Sequence, residues 1–286
     1  MVLAISGATG FIGKALVEKF REMKWTVRIM DRDSFSMQDE EFRKQKIEGS
    51  DVIINLSGAP VSAKWTPEYK LEILNSRVNT TRKIAENIIL SEQKPGVFIS
   101  TSAIGIYDSV HTHTEDSVRF SDSFLAKICR DWEDTARIAE SVTRLVIFRN
   151  GLVLGEGGGA LEKMYFPFSI GLGGKIGKGD QAFSFIHLKD LINMFFYVIE
   201  NPAITGIVNA VSPYPTTNSD FTEVFGKVLR QPAWLTIPAF VLKMKFGEGA
   251  EVLLDGQSVL PEKLEKAGFR FQYPTLQSAL IRIYGR

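Results

Sequence analysis

Gly7-Ala8-Thr9-Gly10-Phe11-Ile12-Gly13 decides how this chain is read. The apolar run Val2 to Ser6 precedes it and reads as a buried strand. Ile12, Leu16, Phe20 and Met23 follow at helical spacing. Glycines between a strand and a helix are the context that gives this pattern its meaning. Gly7 permits a tight turn, Gly10 lets the backbone approach a pyrophosphate, and Gly13 lets the helix pack closely. The helix start offers unpaired N–H groups and the positive end of its dipole to phosphates. The stretch predicts a dinucleotide site that takes in Gly7, Thr9, Gly10, Phe11, Ile12 and Gly13.

Outward from the loop, Val27 to Met30 reads as a second strand and Glu40 to Lys46 as a short exposed helix. Asp51 to Leu56 reads as a third strand. A long helix is expected from about Pro67 to Leu90, with Leu74, Val78, Ala85 and Ile88 inward and Pro67 at its first turn. Val97 to Thr101 is strand four. The helix from about Asp122 to Glu140 carries Leu125, Cys129, Trp132 and Ala136 on one stripe, and Leu145 to Phe148 is strand five. Strand and helix alternate, which predicts an α/β fold with a doubly wound parallel sheet of Rossmann type.

The texture changes after Asn150. Gly151 to Gly179 is rich in glycine and reads as a flexible or ligand-shaping loop. Phe183 to Ile186, the helix Leu188 to Ile199 and the strand Ile207 to Ala210 return to the α/β pattern. The proline-punctuated remainder reads as short helices. The expected division is a dinucleotide domain of 1–150 with 183–210, and a substrate lobe of 151–182 with 211–286.

Asp31 ends the second strand, where a carboxylate can accept from adenosine ribose hydroxyls. Arg32 beside it can pair with a 2′-phosphate. The cofactor is therefore read as NAD or NADP, and the charge of Asp31 leans towards NAD.

Bulk properties narrow the classes. The chain has 286 residues, 44% of them hydrophobic, and a formal net charge of +1. That balance offers no electrostatic footprint for nucleic acid or an anionic membrane surface. The single cysteine, Cys129, cannot form an internal disulfide. His111 and His113 alternate in a polar stretch and His187 stands apart, so no metal site is expected. The opening residues lack a basic n-region, and no apolar run is long enough to span a bilayer. A cytoplasmic protein with no nucleic-acid or membrane partner is expected; the sequence leaves the oligomeric state open.

Further motifs lie along almost the whole chain. They include Asn55-Leu56-Ser57-Gly58-Ala59-Pro60, Asn75-Ser76-Arg77-Val78 and Ser100 to Tyr107. Phe124-Leu125-Ala126, Trp132-Glu133, Arg149 to Gly155 and Gly158-Gly159-Ala160-Leu161 continue the series. Leu260 to Leu264, Ala267-Gly268-Phe269 and Tyr273-Pro274 close it. With these residues the chain resembles the short-chain dehydrogenase/reductase superfamily, in its extended, sugar-nucleotide epimerase-like branch. It is most similar to the atypical subgroup of epimerase family proteins. The resemblance implies that Asn55 to Gly58, with Leu56, Ser57 and Gly58 as the binding residues, line the adenosine side of the cofactor.

Extended members carry out hydride chemistry with a Ser, a Tyr-x-x-x-Lys pair and a supporting Asn. Tyr and Lys at i and i+4 share a helix face, where the ammonium lowers the phenol pKa. Ser102 matches the serine. The register set by Trp132-Glu133 places Leu125 at the tyrosine position and Cys129 at the lysine position, and the asparagine falls on Arg77. Tyr107 is then a candidate proton donor beside Ser102. Arg77, Arg149 and Gln181 are candidates for substrate contact, with Lys163 and Lys175 nearby, and Asp190 reads as structural. The expected function is that of an NAD(P)-dependent oxidoreductase or sugar-nucleotide epimerase acting on a small polar substrate, whether nucleotide-linked or free. The alternative is a dinucleotide-binding redox sensor or scaffold without turnover.

Overall fold

The computed structural model describes residues 1–285. Its centre is a six-stranded, all-parallel sheet. We label these strands β1 (Val2–Ser6), β2 (Thr26–Met30), β3 (Val52–Asn55), β4 (Val97–Ala103), β5 (Arg144–Asn150) and β6 (Gly206–Ala210). They lie side by side in the order β6-β5-β4-β3-β1-β2. The helices are α1 (Phe11–Glu22), α2 (Pro67–Leu90), α3 (Phe124–Arg137) and α4 (Leu188–Glu200).

Successive strand residues point to opposite faces, and here both faces are buried. Leu3 and Ile5 of β1, Ile54 of β3, Ile99 of β4 and Phe148 of β5 pack with Leu16 and Phe20 of α1 and Phe195 of α4. Ala4, Ile53, Phe98 and Ile147 pack on the other face with Ile84 and Ile88 of α2 and Ala136 of α3. A near-continuous apolar strand is what a sheet covered on both sides requires.

The α2 bounds agree with the sequence reading. Thr66 caps the helix by accepting from the Tyr69 N–H, and Pro67 sits where no N–H is needed. Asp190, buried near the start of α4, accepts from the Gln272 and Tyr273 N–H groups at 2.7 and 2.8 Å, the structural part expected of it.

Three elements differ from expectation. Met23 follows α1 as its cap and is exposed. The segment expected over Glu40–Lys46 divides into a short helix, Asp39–Phe42, and a π-turn, Arg43–Ile47; it buries Phe42 and Ile47. The glycine-rich stretch after Asn150 is no open loop. It holds a strand, Leu152–Leu154, a helix, Gly159–Ser169, and a strand, Gly174–Ile176. Gly155, Gly158 and Gly159 lie where any Cβ would press on the Phe11 ring. These glycines therefore serve close packing over the start of α1. Leu154, Leu161 and Phe168 of this segment form one apolar cluster with Phe221, Phe225 and Leu280. Among the described residues no helix is long and apolar enough to cross a membrane.

Candidate functional site

The turn Gly7 to Gly10 is closed by the Gly10 N–H donating to the Gly7 carbonyl at 3.0 Å. Gly7 has φ +68°, and a Cβ there would lie 2.8 Å from the Leu56 carbonyl oxygen, so glycine is required twice over. A Cβ on Gly13 would collide with the Gly7 carbonyl. Gly10 differs: a Cβ would meet the Gly7 oxygen at 3.3 Å and otherwise fill open space in the cavity that Gly10 lines. Gly10 also precedes α1, whose first N–H groups have no partner within the helix. An open cradle beside free donors fits a dinucleotide pyrophosphate.

The next loop is held from below by a polar chain. The Ser6 hydroxyl donates to Asn55 Oδ1 at 2.6 Å, and Asn55 Nδ2 donates to Thr81 Oγ1 at 2.7 Å. Trp132 Nε1 donates to the same Thr81 oxygen at 2.8 Å. The Leu56 N–H donates to the Ser6 oxygen and the Ser57 N–H to Asn55 Oδ1. This chain locks β1, β3, α2 and α3 together and sets the course of Leu56, Ser57 and Gly58. Buried polar groups joined in this way specify one arrangement, since any broken link leaves an unpaired atom.

Arg77 is half-buried beside this loop. Its guanidinium donates to the Ala59 and Ile73 carbonyls at 3.0 and 3.1 Å and lies 5.2 Å from the Trp132 ring centre. It props the Gly58 segment, where a Cβ would lie 2.9 Å from its Cζ. Burial pushes its pKa down, with Cys129 and Tyr69 opposing.

Ser102, Arg149 and Asn209 occupy one row across β4, β5 and β6. Glu133 of α3 reaches into that row. The Ser102 hydroxyl donates to Glu133 Oε1 at 2.8 Å. Arg149 donates to both carboxylate oxygens, Nε at 2.8 Å and Nη2 at 2.7 Å. Arg149 Nη1 donates to the Tyr107 oxygen at 2.8 Å, and that hydroxyl in turn lies 2.9 Å from Asn209 Oδ1. Ser102, Glu133, Arg149 and Tyr107 are all buried. Burial would lower the Arg149 pKa, but the bonds and charge of Glu133 raise it far above its usual value. Burial pushes the Tyr107 phenol up, partly offset by Arg149.

This arrangement corrects two expectations. Arg149 does not present its charge to the crevice, because the guanidinium is spent in a fork on Glu133 and on Tyr107. Tyr107 does not offer a free proton, because its hydroxyl sits inside the same network. Ser102 stands where expected, but its hydrogen points to Glu133, which leaves its oxygen to accept. Glu133 was not expected as a functional residue. A carboxylate on the buried face of α3 was the available signal.

Leu125 and Cys129 both line the cavity, as the helix register requires. The Cys129 thiol is pushed up to about 11 by burial and by Glu133, with Ser102 and Arg77 opposing.

Asp31 and Arg32 are also rearranged. The Asp31 carboxylate caps the short helix Arg32–Ser36. It accepts from the Ser34 N–H at 2.9 Å and from the Ser34 hydroxyl at 2.6 Å. Those bonds hold its pKa below the usual value. Both bonds go to Oδ1, so the cap competes with the ribose contact on which the lean towards NAD rests. Arg32 is exposed, with no hydrogen bond or ion pair among the described residues.

One cavity of about 590 Å³ joins these parts. It runs from Gly7, Gly10 and Gly13 past Ser57 and Ser102 to Gln181 and Asp255 in the glycine-rich and C-terminal segments. Gln181 Nε2 donates to the Ile176 and Leu253 carbonyls, at 3.4 and 3.3 Å, which ties two walls of the cavity together. Lys163 and Lys175 are not among its lining residues. Lys163 bonds Ser62 Oγ at 2.9 Å, and Lys175 borders a separate surface depression with Trp234.

Residues 3–210 match the NAD dependent epimerase/dehydratase family, and residues 237–283 match a domain of unknown function, DUF1731. The chain is 37% identical to the chloroplastic epimerase family protein SDR39U1 homolog of Arabidopsis thaliana, covering 99% of this chain and 86% of that protein. It is 34% identical to the epimerase family protein YfhF of Bacillus subtilis, covering 99% and 98%. The crystal structure of human epimerase family protein SDR39U1 with NADPH superposes with a TM-score of 0.92 at 31% identity, covering 99% of each chain. A Bacillus cereus UDP-glucuronic acid 4-epimerase, solved with UDP-glucuronic acid and NAD, shares the fold with a TM-score of 0.78 at 17% identity, covering 99% and 98%.

Proposed function

This chain belongs to the NAD-dependent epimerase/dehydratase family, and from that premise we propose that it binds NADP(H) and exchanges hydride with a small molecule. The dinucleotide is assigned to 1–150 with 183–210, and the substrate to 151–182 with 211–286. The observation that carries this reading is the single cavity lined by both the glycine loop and the lobe. A chain that only stored a dinucleotide would not need the second half.

NADP(H) is preferred over NAD(H) on two grounds. The Asp31 carboxylate is turned into its cap while Arg32 stays exposed, and the human relative is solved with NADPH. Gly10, Thr9 and the start of α1 would hold the pyrophosphate. Leu56, Ser57 and Gly58 would lie along the adenosine side.

Bound NADPH supplies a hydride equivalent at its nicotinamide ring. The Ser102 oxygen, fixed by Glu133, would accept from the hydroxyl on the alcohol side of the exchange, the substrate with NADP+ or the product with NADPH. Leu125 and Cys129 line the region where extended relatives carry Tyr and Lys and offer no proton there. The proton that accompanies hydride transfer is drawn from solvent or from the substrate, since neither Ser102 nor Tyr107 holds one free. A positioned acid contributes about 10²- to 10⁴-fold, so turnover is slow and conventional UDP-sugar epimerisation is not expected.

A second reading, a dinucleotide-binding redox sensor or scaffold without turnover, is favoured by the same committed hydroxyls and by Leu125 and Cys129 standing where the extended branch carries Tyr and Lys. Following NADPH absorbance during incubation with a panel of aldehydes and ketones separates the two. Saturable, substrate-dependent oxidation supports the enzyme. Tight NADPH binding with no oxidation by any member supports the sensor.

A further inference from the structure

The lobe half of the cavity has a distinctive charge. Glu251 and Asp255 line it, with Gln181, Asn218 and the apolar Val252 and Phe183. Among the described lining residues Arg77 is the one basic side chain. Arg77 belongs to the cofactor half: it is bonded to the Ala59 and Ile73 carbonyls beside Gly58 and Trp132. Neither Lys163 nor Lys175 is a lining residue: Lys163 is held by the Oγ of Ser62 at the cavity's edge, and Lys175 faces the outer depression.

A nucleotide-linked substrate would bring a pyrophosphate into this half. Partly desolvated phosphates require cations or several convergent N–H donors. Here they would meet two carboxylates instead. The opposite chemistry fits: an apolar body packs on Val252, Phe183 and Leu125, and hydroxyl or amine donors pair with Glu251 and Asp255.

Resting on the hydride-transfer reading above, we infer that the substrate of this chain is a non-anionic small molecule with an apolar body, uncharged or cationic, and is not a nucleotide-linked sugar. The shared fold with UDP-sugar enzymes thus carries over the dinucleotide half of the site and not the substrate half.

The test uses the NADPH-loaded protein and four probes. 3-Phenylpropan-1-ol, 3-phenylpropan-1-amine and 3-phenylpropanoate share one body and differ in charge, and UDP stands for a nucleotide-linked ligand. Binding is read by ligand-observed saturation-transfer NMR, with NADPH loading measured beforehand by tryptophan quenching. The alcohol and the amine should bind saturably, the carboxylate at least about tenfold more weakly, and UDP not at all. The double variant Glu251→Gln, Asp255→Asn should narrow the gap between carboxylate and alcohol. UDP or 3-phenylpropanoate binding as tightly as the alcohol overturns the inference. So does an unchanged gap in the double variant, or no saturable signal from alcohol and amine. Failure of NADPH to load is a separate outcome and overturns the dinucleotide reading instead.

Discussion

Ser102 Oγ lies 2.8 Å from Glu133 Oε1, and Arg149 holds the same carboxylate in a two-pronged grip at 2.8 and 2.7 Å. The one serine retained at the end of β4 is thus wired to a buried ion pair. Its proton is directed into the protein and its oxygen towards the cavity. The chemistry available to the site follows from that orientation.

The ion pair should govern stability. Removing one partner of a buried pair leaves a charge without compensation, at about 3–5 kcal/mol. Glu133→Gln should therefore lower the urea midpoint strongly, whereas Glu133→Met with Arg149→Met should recover much of the loss. A Glu133→Gln protein as stable as the parent would show that the pair contributes nothing net.

Cys129 should be inert. With a pKa of about 11, only about one thiol in a thousand is ionised at pH 8, and the thiolate is the nucleophile. Iodoacetamide should label the folded protein far more slowly than the urea-unfolded one. Equal rates would place the thiol outside the α3 stripe.

His187 sets a stability window. Its Nδ1 accepts from the Lys189 N–H at 3.1 Å, a bond that needs the neutral ring. Burial, with Lys189 and Arg282, lowers its pKa to about 4 from 6.5. The unfolded chain binds the extra proton first, so stability is full above about pH 6.5 and falls as pH drops towards 4. The loss is at most ~3 kcal/mol. His187→Asn, which keeps an acceptor near the cap, should flatten that slope in thermal melts between these pH values.

Cofactor choice rests on Arg32. NADPH should bind at least about tenfold more tightly than NADH, or about 1.4 kcal/mol, and Arg32→Ala should erase the difference by weakening NADPH. Asp31→Asn should leave the ratio nearly unchanged, because the carboxylate is engaged with Ser34. An Asp31→Asn protein that switches towards NADPH would return the carboxylate to the ribose.

The elements that position the site were largely legible. Apolar runs ending at Gly7, Asn55 and Thr101 mark parallel strands, and Thr66-Pro67 marks a helix start. What the sequence hid depends on partners from other elements. Nothing local says that Glu133 meets Arg149, since the two approach only when α3 packs against β5. The glycines at 155, 158 and 159 suggested flexibility, whereas the folded chain uses them to admit the Phe11 ring. Asp31 carried a readable signal, Ser34 three residues on, that marks a cap as well as a ribose ligand.

The central claim, that the Gly7–Gly13 cradle opens the cavity to a dinucleotide, is tested most directly by titrating NADPH calorimetrically into the parent protein and into Gly10→Asp. The carboxylate would fill the open space beside Gly10 and repel the pyrophosphate. The parent should bind one NADPH per chain and the variant should give no binding heat while melting at a similar temperature. Equal affinity in the two proteins, or no binding by the parent, would contradict the assignment.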